Sequence, residues 1–250
     1  MVLVPVVTFG LVIGSFLNVV IARLPQRRSL WAPRSSCPEC GYQIAWYDNI
    51  PLLSFAALRG RCRACAARIP WRYPLVEAAT AALFLLAWIV FAGDLAGFAM
   101  AAIFLAALVA ITVIDLRHQI IPDAITLPGI VVGLAASFAA GRISWLESLV
   151  GVLLGGGVFV VIILVSRGGM GGGDLKLGAM LGAFLGWQAL LVALFVAVML
   201  GGISAVALLL SGRLARKDAI PFGPFLALGG AVALFWGRAI IAWYLGGFER

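Results

Sequence analysis

Apolar stretches of 17 or more residues, almost free of charge, recur along the whole chain. A helix needs about 20 such residues to cross the hydrocarbon core of a bilayer, where every backbone N–H and C=O must be satisfied within the segment. Composition agrees, because 64% hydrophobic residues, 11% charged residues and a mean hydropathy of +1.12 leave too little polar surface for a soluble domain. The chain therefore reads as an all-α polytopic membrane protein whose first partner is the lipid bilayer. No basic residue precedes the first stretch, which opens Met1-Val2-Leu3-Val4-Pro5, and no small-residue cleavage site closes it. A retained helix is expected there, not a removed signal peptide.

The pattern predicts helices over about 2–22, 75–92, 97–116, 124–140, 146–166, 174–187, 188–210 and 222–245. Three regions follow: a first transmembrane helix at 1–22, a polar insert at 23–74 and a helical membrane domain at 75–250. The insert carries arginines 23, 27, 28, 34, 59, 61, 63, 68 and 72 against only Glu39 and Asp48, so the bias of basic residues toward the inner face makes it cytoplasmic. Threading eight spans from that anchor places 15 of the 18 basic residues inside, with Arg142, Arg238 and Arg250 toward the outer side. The 174–187 segment is short and glycine-rich for a span. Deleting it would carry Arg213, Arg216 and Lys217 outside, against the bias. Because the basic residues lie in loops of a membrane protein, the net charge of +8 does not point to nucleic acid.

All four cysteines lie in the insert, as Cys37-Pro38-Glu39-Cys40 and Cys62-Arg63-Ala64-Cys65. Two such pairs, 21 residues apart, fit a tetrahedral four-thiolate zinc site, because each short turn presents two sulfurs to one ion and nearby arginines favour thiolates. Two disulfides are the alternative, disfavoured in a reducing compartment, and a redox pair is disfavoured by the matched duplication. About 50 residues with few aliphatics build little core, so a metal would supply the missing stability. Four thiolates leave no open coordination position, so the expected role is structural.

Two aspartates stand at the ends of apolar segments, 59 positions apart, and the topology brings both to the cytoplasmic face. Asp115 closes Ile114-Asp115-Leu116-Arg117-His118, where a carboxylate opposes the helix dipole and has no capping role. Asp174 follows Gly168-Gly169-Met170-Gly171-Gly172-Gly173. A helix cap does not need that glycine run, which instead lets backbone approach a peptide or a neighbouring helix closely. Asp123, after Ile121-Pro122, stays open between helix cap and a third, substrate-facing acid.

Carboxylates at membrane depth are costly and by default suggest function. Two that share a site do not both ionise, which yields one general base and one general acid, the requirement for hydrolysing a peptide through water. Competing chemistries fare worse. His118 is the only histidine and has no evident serine partner, and Asp174-Leu175-Lys176 replaces the Gly-Lys-Ser/Thr ending of a phosphate loop. A transporter with acidic coupling residues is the alternative class, opposed by the placement of both acids at one interface and neither at mid-membrane.

These residues resemble the bacterial type IV prepilin peptidases, prepilin leader peptidase/N-methyltransferases that also serve type II secretion pseudopilins. The resemblance rests on Gly14-Ser15-Phe16-Leu17-Asn18-Val19, on both cysteine pairs, on Asp48-Asn49-Ile50-Pro51, and on Arg72-Tyr73-Pro74-Leu75-Val76-Glu77. It continues through Asp115, Ile121-Pro122-Asp123, Gly171-Gly172-Gly173-Asp174 with Lys176, and Pro221-Phe222-Gly223-Pro224-Phe225. It implies that Asp115 and Asp174 are the catalytic pair. Asp123, Gly171, Gly173 and Lys176 take supporting or substrate-facing places, and Cys37, Cys40, Cys62 and Cys65 hold zinc. It further implies cleavage of a basic leader after glycine at the cytoplasmic side of the inner membrane. Methylation of the new amino terminus by S-adenosylmethionine comes through the resemblance alone, with Asn18, Asp48, Asn49 and Glu77 as candidates. Asn18 could equally bond between helices, and Glu77 could pair with Arg72 or Arg61. Ala66, after the last cysteine, departs from a glycine common in the family.

Overall fold

A computed structural model describes residues 3–140, 142–166, 171–212 and 220–246. The expectations for Arg167, Gly168, Gly169, Met170, Arg213, Arg216, Lys217 and Arg250 lie outside the described residues. The helices are α1 (Leu3–Arg23), α2 (Leu53–Ala57), α3 (Arg72–Val90), α4 (Leu95–His118), α5 (Asp123–Ala140), α6 (Trp145–Val165), α7 (Gly172–Leu210) and α8 (Gly223–Gly246). Six of them, α1, α3, α4, α6, α7 and α8, are long and apolar enough to cross a membrane, and α5 is a shorter apolar helix. The chain divides into two compact units, Met1–Gly93 and Asp94–Arg250.

In the first unit α1 lies against α3 through small residues. A Cβ added at Gly10 would come within 2.7 Å of the Ala81 Cα, and one at Gly14 within 2.7 Å of the Glu77 Cα. Packing of this kind draws helices together in lipid, where apolar burial alone gives no drive. One polar tie joins it: buried Asn18 donates from Nδ2 to the Tyr73 carbonyl at 3.1 Å, the interhelical bond that was one of its two expected roles. α3 starts three residues before the predicted position because Pro74 sits in its first turn, where a missing N–H costs no helical bond. Past α1 the chain turns through Arg27, at φ 53°, and the Arg23 guanidinium gathers the carbonyls of Ser29, Leu30 and Pro33 at 3.0, 3.3 and 2.6 Å.

The second unit is built around Phe104, Leu108 and Ile111 of α4, Leu177, Met180, Leu181 and Phe184 of α7, and Leu226 of α8. α6 buries only the stripe Ser148, Gly151, Gly155 and Phe159 and leaves Leu153, Val161, Leu164 and Val165 exposed, as a lipid-facing helix does. That stripe meets α7 backbone to backbone. A Cβ at Gly182 would collide with the Gly151 carbonyl and one at Gly155 with the Gly178 carbonyl, while Ser148 Oγ donates to the Ala183 carbonyl at 2.7 Å.

α7 is continuous in sequence but not in direction. Gly186 has φ 72° and ψ 169°, a conformation that glycine adopts without steric cost. Gly173 abuts Ile121, Gly186 abuts Ile143 and Glu147, and Gly201 abuts Phe222 and Phe225, so the chain runs to one end of the unit, reverses at Gly186 and returns. The predicted boundary between 187 and 188 thus falls beside a real turn. The first half, about 14 residues, is roughly 21 Å long, short of the ~30 Å hydrocarbon core, so length alone does not make it a span.

Candidate active site and metal centre

The ends of three helices converge around Asp115. It stands in the last turn of α4, 5% exposed, and its Oδ2 accepts from the backbone N–H of Gly223, the first residue of α8, at 2.9 Å. Only glycine admits this contact, since a Cβ at position 223 would lie 2.6 Å from the same oxygen. Gly223 stands in the motif Pro221-Phe222-Gly223-Pro224-Phe225, which in sequence gives it no place in the site. A backbone donor has no side chain to announce it, and its one signal is a glycine between Phe222 and Pro224 at a helix start.

Asp174 lies in the first turn of α7, near enough to Asp115 for the two charges to act on each other. The residue that caps α7 is Gly171, whose carbonyl accepts from the Asp174 N–H at 3.2 Å. The glycine run brings backbone close not to a helix but to the connection between α4 and α5, because a Cβ at Gly173 would lie 2.9 Å from the Ile121 Cβ. Gly171 and Gly172 are exposed. Asp123, at the start of α5, takes Lys176 Nζ on both of its oxygens at 2.6 Å, which joins the α5 and α7 starts beside the acids. Asp115, Asp123, Gly171, Gly173, Asp174 and Lys176 therefore gather at one end of the second unit.

The opposite end of that unit holds a separate polar set. Asp94 caps α4 by accepting from the Gly97 N–H at 2.8 Å and pairs with Arg142 Nε at 2.8 Å, while Arg238 donates to the Arg142 carbonyl. The Gly97 N–H, followed by the Arg142 guanidinium, holds the Asp94 carboxyl below its ordinary range. Arg142 and Arg238, both expected on the outer side, thus share an end remote from Asp115 and Asp174.

In the first unit the two cysteine turns repeat one another. The N–H of Cys37 donates to Tyr42 O and the N–H of Gly41 to Cys37 O. In the second turn Cys62 donates to Ala67 O and Ala66 to Cys62 O. Each turn needs a left-handed residue after its second cysteine, supplied by Gly41 at φ 72° and Ala66 at φ 59°. The four sulfurs lie within 4.8 Å of one another, with Cys37 and Cys65 Sγ at 3.8 Å, and all four thiols are free. Tetrahedral zinc–thiolate bonds of about 2.3 Å place sulfurs about 3.8 Å apart, so the cluster fits a metal ion of that kind. The N–H groups of Cys65 and Ala64 bring the Cys62 thiol down to about 7. At Cys65 the Ala67 N–H pulls the other way from Cys40, burial, Cys62 and Cys37, which together push it up to about 12. Close-set sulfurs thus resist carrying four negative charges without a cation.

Asn18, Asp48, Asn49 and Glu77 all line one cavity of about 610 Å³ in this unit. Glu77 is buried and accepts from the Leu52 N–H at 2.9 Å; among the described residues it makes no ion pair, so the alternative pairing with Arg72 or Arg61 does not form. Asp48 pairs with Arg63, which donates at 2.6 to 3.1 Å and holds the carboxyl below its ordinary range. That pair ties the loop before α2 to the second cysteine turn.

Comparison with known proteins bears on both units. The bacterial peptidase A24 N-terminal domain matches residues 8–91, and the type IV leader peptidase family matches residues 102–206. A prepilin leader peptidase/N-methyltransferase of Aeromonas hydrophila is 41% identical over 275 aligned positions, covering 96% of this chain and 92% of that protein. Proteins of the same name from Bacillus subtilis (strain 168) and Burkholderia pseudomallei (strain 1026b) are 38% and 40% identical, covering 95% and 92% of this chain and 95% and 84% of their own lengths. No solved structure matches. With such identity over nearly its whole length, the chain belongs to the family of type IV leader peptidases.

Proposed function

We propose that the protein is an intramembrane aspartic endopeptidase that removes the leader of type IV prepilins and type II secretion pseudopilins, and then methylates the new amino terminus. The observation that carries the first activity is the Asp115 carboxylate held by the Gly223 N–H, with Asp174 in the first turn of α7 at the same end of the second unit. Of two close carboxylates one keeps a proton. The ionised partner takes a proton from water, whose oxygen bonds to the scissile carbonyl carbon. The protonated partner donates to the carbonyl oxygen; the carboxyl that took the water's proton then passes it to the departing amine as the C–N bond breaks, and a hydroxyl proton of the intermediate returns to the other carboxylate. The Gly223 N–H fixes one carboxylate oxygen so that the pair keeps its orientation through this exchange. Asp123 and Lys176 rim the site, and the exposed Gly171 and Gly172 backbone is open to an extended leader.

In this reading residues 1–22 form the first membrane helix, 23–74 a cytoplasmic insert and 75–250 the protease domain of a multi-pass bacterial inner-membrane protein. The two halves of α7 count as separate passes, giving eight. The ion held by Cys37, Cys40, Cys62 and Cys65 is zinc, in a structural role. S-adenosylmethionine supplies an electrophilic methyl group, and the cavity with Asn18, Asp48, Asn49 and Glu77 is where this chain holds it.

Mass spectrometry of a co-expressed prepilin tests both activities. The expected product begins just after the leader glycine and carries one added methyl group. Asp115→Asn and Asp174→Asn each slow leader removal by about a thousandfold while the protein still inserts; full processing by either variant sinks the pair.

A further inference from the structure

Arg72 is the one guanidinium of the insert with buried, unanswered donors. Its Nε and Nη1 are closed to solvent and meet no acceptor among the described residues, while Nη2 donates to the Tyr73 hydroxyl at 2.9 Å and the group lies over the Tyr73 ring at 4.7 Å. Of the three carboxylates lining its cavity, Glu77 accepts from the Leu52 N–H and Asp48 pairs with Arg63, and none of the three, Glu39 included, forms an ion pair with Arg72. Arg72 itself lines that cavity at the start of α3. Buried donors of a cation without acceptors are expensive, and such a cost persists where a ligand repays it.

We propose that Arg72 binds the carboxylate of the methyl donor's amino-acid portion, an inference that rests on the methylation reading above. The cavity, at about 610 Å³, falls within the ordinary range for small-molecule sites. A carboxylate offers acceptors to the guanidinium in charge-assisted bonds, stronger than the neutral bond to Tyr73, so the side chain turns from Tyr73 toward the ligand when the site fills. Arginine suits this task better than lysine because its planar group meets both oxygens of one carboxylate.

Equilibrium binding to the purified full-length protein tests the assignment, with S-adenosylmethionine and its decarboxylated analogue as paired probes. The unaltered protein is expected to prefer the carboxylate-bearing ligand by about ten- to a hundredfold. Arg72→Met is expected to erase that preference while binding the decarboxylated analogue as before, which also reports an intact cavity. Arg72→Lys is expected to restore part of the preference. Retention of the full preference by Arg72→Met overturns the proposal, and so does equal weakening of both ligands, which marks Arg72 as a wall of the cavity. Failure of the unaltered protein to bind either probe overturns the methylation reading itself, and the proposal with it.

Discussion

Four sulfurs in the first unit and two carboxylates in the second are each drawn together, but over different sequence distances. Each cysteine pair spans four residues and is shaped by its own turn, so only one longer contact, between the turns, remains to be made. Asp115, Asp174 and the Gly223 N–H come from three helices and meet only if α4, α7 and α8 pack in the correct register. The first centre is assembled by local backbone geometry and is expected to depend on an ion; the second is assembled by helix packing and depends on volume. Damage to one should leave the other standing.

Cys37→Ser is expected to produce the largest effect within this contrast. Bound zinc should fall from one per chain to none, and trypsin should cut the arginine-rich insert at least about tenfold faster, because metal binding and folding of so small a module are coupled. Metal analysis that finds no zinc in the unaltered protein removes the four-thiolate site.

Gly223→Ala is the matching lesion in the second unit. The added Cβ would lie 2.6 Å from Asp115 Oδ2, so helix α8 must shift and the N–H bond lengthen. Leader cleavage should slow by about ten- to a hundredfold with zinc content unchanged, measured as initial rate on a detergent-solubilised prepilin. A rate equal to the unaltered enzyme's would show that the α8 contact does not matter.

Asp123→Asn should do less. Its partner Lys176 is a third exposed and the pair faces solvent, so the expected loss of stability is at most about 1 kcal/mol, read as a small drop in thermal midpoint. A cleavage defect as deep as that of Asp115→Asn would make Asp123 a third working acid.

The smallest change is expected at Ala66→Gly. Ala66 holds φ 59°, where a side chain costs about 1 kcal/mol relative to glycine. The glycine variant should therefore resist chelator-induced unfolding slightly better, and a loss of resistance would contradict the matched-turn geometry.

The two centres also differed in how far they could be read in advance. Cysteine spacing is local information, so the ligand set and even the odd alanine at position 66 stood out in the sequence, though not the left-handed angle that explains the usual glycine. The acids were legible through their cost: a carboxylate ending an apolar run is conspicuous. Their partner was not, because the Gly223 N–H belongs to backbone. Arg72 was hidden among nine arginines, and only packing distinguishes it from the others by leaving its donors unanswered. The break near residue 187 was placed within a couple of positions of Gly186. Hydropathy could not show that the chain reverses there, since apolar residues run on through both sides of Gly186.

The paired glycines of α6 and α7 also set a tolerance on the chemistry. Gly178 and Gly182 sit four and eight residues beyond Asp174 and lock against the Gly155 and Gly151 backbone, with the Phe159 ring also against Gly178. That arrangement works as an indexing notch for a helix, fixing both its depth and its rotation. One residue inserted between Asp174 and Gly178 would swing the carboxylate through about 100° and move it about 1.5 Å along the axis, away from Asp115. The spacing from acid to notch is therefore as much a part of the site as the acid, and length changes are affordable only on the far side of Gly186.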